Sequence, residues 1–407
     1  MHDLPKWALA VAIAGALVVP SRAAHADVIT VWNQQVIDSG GPQIQRTLAM
    51  VHIAMFDAVN AIAPRYTPYL APGVPPVGTS AEAAAAAAAH GVLVRLFPSQ
   101  QAVLGSVLAA SLSTIPAGTN RDRGVQFGDA VAAAIYAARL NDNILAPGPA
   151  YTSTGALGVY QLTTPGPPQP VNTNAPNWVP FALESAAQFR PNGPDRLSSA
   201  RYARDLLEVQ MLGGSTSAVR TADEEQIGRW HTEQAQFQFN RIARSETITD
   251  GRGLLEHARL FALLNIATAD ATTSVFEAKY AHLFWRPSTA IRSAEADENP
   301  MTTGDETWSP FLPTPPHPEY PAAHGAVQAA AARVMEQYFG PNYAFSTTAP
   351  AVPGVVRTYA DFDAFAQEGA NARVIGGMHF RSSLEEGTRA GKRVGNWVLS
   401  HCLLQLN

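Results

Sequence analysis

Cysteine is nearly absent from this sequence, since Cys402 is the single cysteine among 407 residues. An internal disulfide is therefore excluded, and so is a structural metal site built from several cysteines. Charge is also sparse: charged residues make up 15% of the chain, and the formal net charge is −5. This balance provides no overall attraction to nucleic acid or to anionic membranes, so any anion site must be built locally.

Several familiar catalytic signatures are missing as well. The sequence contains no Walker loop, no G-x-S-x-G elbow and no H-E-x-x-H zinc motif. Beyond residue 26 it also lacks an uninterrupted apolar run of about 18 residues, the length that a transmembrane helix needs. We therefore expect no nucleic-acid partner and no stable membrane insertion of the mature chain.

Helical patterns dominate what is present. Hydrophobic residues make up 46% of the chain, and in Ile44–Ile62 they recur at roughly 3.6-residue spacing. Ser80 is a candidate helix cap before a run of seven alanines, which we interpret as a close-packed helix. Residues 147–180, rich in Pro, Gly, Thr and Asn, are interpreted as an ordered surface excursion or a lid. We predict an all-α fold of helical bundles, with two four-helix-bundle-like halves and long Pro/Gly-rich excursions.

The N-terminus has the pattern of a secretory signal. Lys6 precedes the apolar stretch WALAVAIAGALVV, and the small residues Ala24 and Ala26 fit a cleavage site. The alternative is an uncleaved N-terminal anchor. We expect removal of residues 1–26 and a secreted or periplasmic protein. Residues 27–407 would form one helical domain, with an N-terminal half at 27–250 and an active-site half at 251–407.

Three clusters of basic residues point to one anion site. In KYAHLFWRP, Lys279 and Arg286 are seven residues apart, which on a helix places both on one side, and Pro287 is expected to end that helix. Two cations on an apolar stripe are costly to bury unless an anion lies between them. Alone, this cluster is also compatible with a solvated or salt-bridged pair at a helix end.

Two histidines are predicted near helix starts. In PTPPHPEYPAAHG, His324 follows a proline-rich arm and precedes an alanine-rich helix, whose N-terminal N–H groups favour an oxyanion. In ARVIGGMHFR, Gly376 and Gly377 break the chain between Arg373 and His379, and a helix is expected from about Ser382. Together the clusters would hold a phosphate-sized anion and support acid–base or nucleophilic chemistry.

The order and spacing of these residues resemble the vanadium-dependent haloperoxidase and type 2 phosphatidic-acid-phosphatase superfamily. The segments FWRPSTAIR, PTPPHPEYPAAH and ARVIGGMHFR look similar to its secreted bacterial haloperoxidase-like branch. The resemblance covers most of the mature chain. It implies that His379 binds vanadium through a ring nitrogen, or attacks phosphorus in a phosphatase, and that His324 is the acid–base histidine.

The resemblance also implies how the cofactor, vanadate or phosphate in the same site, would be held. Lys279, Arg286 and Arg373 would neutralise its oxygens, and Lys279 would in addition polarise bound peroxide. The backbone N–H of Ala323 would replace that of the family's glycine. His317 falls where bromide-oxidising members carry a histidine in a pocket near the metal.

The sequence departs from the family pattern at several positions. Ala322 stands where the family has a serine that hydrogen-bonds the oxyanion, and Ala372 replaces the serine before the arginine. Ser383 stands where some members have an aspartate that orients the metal-binding histidine, so another partner must fix that ring. The carboxylate that orients His324 is not identified, and Asp270 is a guess.

Three functions follow from this resemblance. The leading hypothesis is a secreted vanadate-dependent haloperoxidase that oxidises halide, with bromide as the expected substrate, using hydrogen peroxide and an organic acceptor. The second is a secreted acid phosphatase that cleaves phosphomonoesters through a phosphohistidine. The third is an oxyanion-binding member with neither activity. The oligomeric state, including a homo-oligomer, stays open.

Overall fold

The computed structural model describes residues 26–71, 73–163 and 166–406, and the all-α prediction is confirmed. Residues 1–25, which carry nearly all of the predicted signal segment, lie outside the described residues. The α-helices of the described ranges are α1 (Val28–Ser39), α2 (Ile44–Ile62), α3 (Ala81–Leu96), α4 (Gln101–Ser113), α5 (Thr119–Ala138), α6 (Ala200–Leu212), α7 (Ala222–Trp230), α8 (Ala235–Thr247), α9 (Leu254–His282), α10 (Pro287–Arg292), α11 (Ala323–Phe339), α12 (Phe362–Ile375) and α13 (Arg381–His401).

Helix α9 lies at the centre of the fold. It is 29 residues long, and nearly every side chain from Leu255 to Lys279 is buried. A helix that is covered by protein on all sides has apolar residues around its whole circumference, and α9 accordingly has no polar face. It packs against α2, α11 and α13. One hydrophobic cluster includes residues from both predicted halves, among them Ile29 and Val398; the division at residue 250 stays a prediction.

The alanine run forms the helix that the sequence predicts. Ser80 caps α3 by accepting a 3.2 Å hydrogen bond from the backbone N–H of Ala83. Small side chains let α3 and α5 approach closely, because a Cβ on Gly128 would lie 2.2 Å from the carbonyl oxygen of Ala84. The run is therefore packed core, not a disordered segment.

The proline- and glycine-rich segment 147–180 is an irregular excursion that contacts the helical core where it is described. The backbone N–H of Tyr160 donates to Leu283 O at 2.7 Å, and that of Val171 donates to Pro316 O at 2.9 Å. These bonds tie the excursion to the loop after α9 and to the proline-rich arm. The segment therefore reaches the neighbourhood of the predicted anion site.

A small sheet adds strand structure that the sequence patterns did not indicate. Strands β1 (Phe345–Thr348) and β2 (Val356–Tyr359) form an antiparallel hairpin in which Phe345 pairs with Tyr359. The strands are four residues each, too short for a sustained alternation. No helix in the described ranges combines the length and the apolarity needed to cross a membrane.

Candidate active site

The predicted residues converge on one cavity of about 640 Å³. The cavity lining contains five of the predicted site residues: His317, Ala323, His324, Arg373 and His379. The other two are fully buried: Arg286 hydrogen-bonds to the lining residue His379, and Lys279 hydrogen-bonds to Glu319, which lies between the lining residues His317 and Ala323 in the chain. The tertiary structure thus brings all seven positions together.

The loop between α9 and α10 differs from the prediction. Helix α9 ends at His282, and Leu283 follows in the left-handed region with φ of 49°. Pro287 is the first residue of α10, where its missing N–H costs nothing, and Arg286 is the N-cap. The expectation that Lys279 and Arg286 share one helix ended by Pro287 is therefore wrong, and a turn between two helices places both in the site.

Backbone carbonyl oxygens of the proline-rich arm accept hydrogen bonds from both Lys279 and Arg286. Lys279 Nζ donates to Pro318 O at 2.9 Å and to Glu319 O at 2.7 Å. Arg286 Nε donates to His317 O at 2.8 Å. The arm leads into α11, whose N-cap is Ala322. Its backbone carbonyls therefore compensate part of the positive charge while it delivers His324 to the helix start.

The α12–α13 turn places the second histidine as predicted. Helix α12 ends at Ile375, and Gly377 has φ of 76°, a conformation that favours glycine. A Cβ on Gly377 would lie 2.3 Å from the carbonyl oxygen of Gly213, so the close approach also requires glycine. His379 follows directly and precedes α13, which begins at Arg381.

Glu319 is the site residue that the sequence patterns missed. Its carboxyl is fully buried, and Oε1 accepts hydrogen bonds from His379 Nδ1 at 2.8 Å and from the backbone N–H of Phe380 at 3.0 Å. Ser383 lies near the carboxyl, although no bond within 3.5 Å joins its hydroxyl to Glu319 Oε2. Glu319 is therefore the residue that holds the His379 ring in this protein. Ser383, at the position of the family's aspartate, does not provide that contact. The sequence did contain a signal for this role, because Glu319 is the single acidic residue in the proline-rich stretch that also carries His317.

The contacts of His379 settle which ring nitrogen carries the proton. Arg286 Nη1 lies 3.2 Å from His379 Nε2, and a guanidinium can only donate. Nε2 is therefore the acceptor, with its lone pair directed at the cation, and Nδ1–H donates to Glu319. His379 thus keeps Nε2 available as a ligand or a nucleophile.

Positive charge is in excess at this site. Burial, with Arg286 and Arg373 adding to it, holds the pKa of Lys279 well below its usual range. Burial lowers the pKa of Arg286 to about 10 and that of Arg373 to about 9. Burial likewise raises the pKa of Glu319 to about 7, against the opposing effect of Lys279 and Arg286. Three buried basic side chains thus share one carboxyl group, and holding all three in their charged form is costly without a bound anion.

Hydrogen-bond donors without acceptors around the cavity also indicate an anion site. Arg373 Nε is buried without a hydrogen-bond partner, and Nη2 of the same group contacts the sulfur of Met378 at 3.0 Å. Helix α11 has no side-chain cap, and within the described chain no acceptor pairs with the backbone N–H groups of Ala323 or His324. A tetrahedral oxyanion supplies the acceptors that these donors lack.

His324 and His317 are both neutral in this environment. Burial, followed by the charge of Arg373, holds the pKa of His324 well below its usual range, and burial with Arg286 does the same for His317. His324 Nε2 makes a long 3.4 Å contact to Glu233 O, where it can only donate, so Nδ1 carries the lone pair. His317 Nδ1 lies 2.9 Å from Arg286 Nη2 and 3.1 Å from Pro318 O.

Asp270 does not orient His324. Its carboxylate accepts hydrogen bonds from the backbone N–H groups of Phe181, Ala182 and Leu183 at 2.6 to 3.0 Å, which anchors the residues directly after the excursion onto α9. The guess from the sequence is wrong, because a buried carboxylate on the central helix can equally serve the backbone. In the described structure, the hydrogen bond of His324 goes to the backbone oxygen of Glu233.

Known proteins share this architecture. The family described as the VCPO second helical-bundle domain matches residues 259–407. Vanadium chloroperoxidase from Curvularia inaequalis is 26% identical over 385 aligned positions, which include 74% of this chain. The match spans 62% of the length of that relative.

Solved structures extend the similarity over nearly the whole chain. The crystal structure described as that of the first bacterial vanadium-dependent iodoperoxidase superposes with a TM-score of 0.79 at 25% identity, covering 93% of this chain and 96% of that one. The holo form of a bacterial vanadium-dependent chloroperoxidase superposes with a TM-score of 0.72 at 18% identity, covering 93% and 94%. The second likeness concerns the fold alone.

Proposed function

We propose that this chain, which is similar to the vanadium haloperoxidases in sequence and fold, is a vanadate-dependent haloperoxidase. It would use hydrogen peroxide to oxidise a halide. The observation that carries the proposal is the burial of three basic side chains, Lys279, Arg286 and Arg373, around the buried carboxyl of Glu319. A di- or trianion restores the charge balance, and vanadate and phosphate both meet that requirement.

The residues present fit vanadate. Arg373, with its unpartnered Nε, and the uncapped N–H groups at Ala323 suit its oxygens. His379 Nε2 would offer its ring lone pair to the metal, since Nδ1–H is held by Glu319. Bound vanadate supplies a Lewis-acidic centre that makes hydrogen peroxide reactive toward a halide.

The protein's own residues would handle the protons and the charge. His324 is neutral and has its lone pair at Nδ1, so it can accept a proton from hydrogen peroxide entering the cavity. Lys279, held by two carbonyl oxygens, would stabilise negative charge that develops on peroxide oxygen. Arg286 would hold His379 and His317 in place through one guanidinium.

Bromide is the halide that we propose. His317 lines the cavity beside Arg286, at the position expected for a halide-pocket histidine. The structural relative named as an iodoperoxidase makes iodide the second halide to assay. Iodide loses electrons more readily than bromide, so an enzyme that oxidises bromide is expected to oxidise iodide as well.

A paired assay tests the proposal. The purified chain is loaded with vanadate, given hydrogen peroxide, and followed through bromination of a phenol red-type acceptor and through triiodide formation. We expect both reactions to depend on vanadate and to be lost in His379→Ala and His324→Ala. A loaded protein that oxidises neither halide would refute the proposal.

The phosphatase hypothesis uses the same side chains and needs a separate assay. His379 Nε2 carries no proton and has the lone pair that attack on phosphorus requires, so para-nitrophenyl phosphate is assayed without vanadate. Rapid hydrolysis that disappears in His379→Ala would favour a phosphatase. Tight vanadate binding without turnover in either assay would identify an oxyanion-binding member that is not an enzyme of either kind.

Export completes the proposal. We propose that residues 1–26 are removed and that the protein acts outside the cytoplasm, where a reactive hypohalous product does least damage. N-terminal sequencing of the protein recovered from the native host should begin at Asp27. An intact N-terminus in that material would argue for the uncleaved anchor.

A further inference from the structure

The cavity is larger than halide oxidation requires. An oxyanion, one peroxide and one halide amount to about seven water-sized groups, which at about 30 Å³ each fill roughly 200 Å³. The cavity measures about 640 Å³. The remaining space exceeds the roughly 150 Å³ in which an apolar cavity holds benzene. An organic molecule therefore fits beside the anion site.

The deeper walls of the cavity are apolar. Ile44, Phe276, Leu312 and Val327 line it and are each no more than 8% exposed. The ring of Phe276 lies 5.0 Å from that of His317, so an apolar wall reaches the proposed halide position. Such walls favour a ring that leaves water on binding.

The outer part of the cavity carries carboxamides instead. Gln43 Nε2 donates to Asn172 Oδ1 at 2.6 Å, and Gln45 Nε2 donates to Gln43 Oε1 at 2.6 Å. These three side chains line the cavity and are only partly buried. A carboxamide has two N–H donors and two acceptor lone pairs, so each retains capacity for a hydroxyl group of a ligand.

Charge narrows the ligand class further. Among the lining residues that the structure describes there is no Asp, Glu or Lys, and Arg373 is the arginine of the lining. The lining therefore offers no carboxylate side chain to pair with a cationic ligand. The walls and the carboxamides together suit an uncharged aromatic molecule with a hydroxyl group.

We propose that this cavity binds the organic acceptor itself, an uncharged, electron-rich aromatic molecule with a hydroxyl group, so that halogenation occurs in the protein. The inference rests on the proposed function, which supplies hypohalous acid. A ring carbon attacks the halogen, a carbon–halogen bond forms and the oxygen–halogen bond breaks. The hydroxide released combines with the ring proton, so an arene and hypohalous acid give a haloarene and water.

The test measures binding before turnover. Titration calorimetry follows 2-naphthol binding to the vanadate-loaded chain without peroxide. Gln45→Trp places a large side chain in the opening, and Gln101→Trp, at an exposed glutamine on α4, is the matched control. We expect Gln45→Trp to weaken naphthol binding at least about tenfold, roughly 1.4 kcal/mol, and Gln101→Trp to leave it unchanged. Phe237→Ala, which removes an aromatic lining group, provides a second variant and should also weaken binding.

Turnover then separates the two proposals. Triiodide formation needs no organic acceptor, so it reports the anion site, whereas naphthol bromination in competition with an excess of a bulk scavenger reports the acceptor site. The inference requires naphthol affinity to fall more in Gln45→Trp than the rate of triiodide formation; equal losses would overturn it. Absence of naphthol binding to the parent would also overturn it. Naphthol binding without halide oxidation would defeat the proposed function and leave the binding site standing.

Discussion

Glu319 Oε1 accepts the Nδ1–H of His379 at 2.8 Å, and both side chains are almost completely excluded from solvent. The bond holds one ring nitrogen and leaves the other directed at Arg286. Glu319 also offers its backbone oxygen to Lys279. A single residue of the proline-rich arm therefore positions the proposed vanadium ligand and one of the cations.

Removing this carboxyl should weaken anion binding. In Glu319→Ala, His379 loses the partner that fixes its tautomer, and we expect vanadate affinity to fall about 10- to 100-fold. Glu319→Gln keeps an acceptor oxygen for Nδ1–H and should recover much of the loss. Equilibrium dialysis with vanadate measures both, with thermal unfolding to check that each variant is folded. Equal affinities in the parent and in Glu319→Ala would contradict the positioning role.

Restoring the missing hydroxyl should strengthen binding. Ala322 is the N-cap of α11 and makes no side-chain cap. In Ala322→Ser, one added hydrogen bond contributes about 0.5–1.5 kcal/mol, so we expect vanadate to bind roughly two- to twelvefold more tightly. Ala372→Ser, at the other alanine that replaces a family serine, is the comparison and should have the smaller effect. A larger gain in vanadate affinity in Ala372→Ser than in Ala322→Ser would contradict this prediction.

Arg373 should lower the unfolding temperature of the protein when no anion is bound. Its guanidinium is buried near Arg286, and Nε has no partner. We expect Arg373→Met to unfold at a higher temperature than the anion-free parent, because an unpaired buried charge is removed. Vanadate at 100 times its Kd should stabilise the parent by about 2.7 kcal/mol and should have little effect on the variant.

The control for that comparison is Arg393→Met, at an exposed arginine on α13. It should retain stabilisation by vanadate and show no gain in its absence. Calorimetric scans with and without vanadate distinguish the variants. A loss of stability in anion-free Arg373→Met would mean that the guanidinium is adequately paired within the protein.

Met378 should be oxidised during turnover. Its sulfur lies in the cavity at 3.0 Å from Arg373 Nη2, while its side chain is 2% exposed. Hypohalous acid formed in the cavity would convert the thioether into a sulfoxide, with release of halide and a proton. Peptide mass spectrometry should find this oxidation only with vanadate, peroxide and halide together.

Met301 provides an internal reference, because it is 54% exposed. Hypohalous acid added from outside should oxidise Met301 before Met378, and turnover should reverse that order. Met378→Leu should lose activity more slowly under repeated peroxide addition. The same order of oxidation in both experiments would place the oxidant in bulk solvent.

The first helix should be held by a pH-dependent contact. Burial opposes a charge on His257, but hydrogen bonds to Asp27 at 2.6 Å and Asp250 at 3.0 Å outweigh it and raise the pKa of His257. Because the folded pKa exceeds the unfolded value, this stabilisation is complete below about pH 6.5 and is lost as pH rises through the folded pKa. His257→Gln should therefore be most destabilising in mildly acidic solution.

Unfolding temperatures measured between mildly acidic and alkaline pH test this expectation. His401→Gln, at an exposed histidine near the end of the chain, is the control and should follow the parent. The difference between the parent and His257→Gln should shrink as pH rises. A constant difference would mean that the contact does not depend on the charge of His257.

Local patterns were sufficient for much of the fold, whereas the full set of seven proposed site positions also depended on the family resemblance. The alanine run of α3 and the apolar α9 follow from propensity and periodicity. His324 and His379 were placed near helix starts by proline and glycine, residues whose conformational preferences are local. The β1–β2 hairpin was missed because four-residue strands carry too little alternation.

The sequence by itself determined the helices, the scarcity of charge, and the spacing of Lys279, Arg286, Arg373 and the two histidines. Only the tertiary structure decided that Lys279 and Arg286 meet across a turn between two helices. It also decided that Glu319 is the carboxylate that holds His379, and that Asp270 binds backbone N–H groups and does not orient His324. The reason is physical: helix propensity acts between neighbours, whereas the partner of a buried charge depends on which segments pack together.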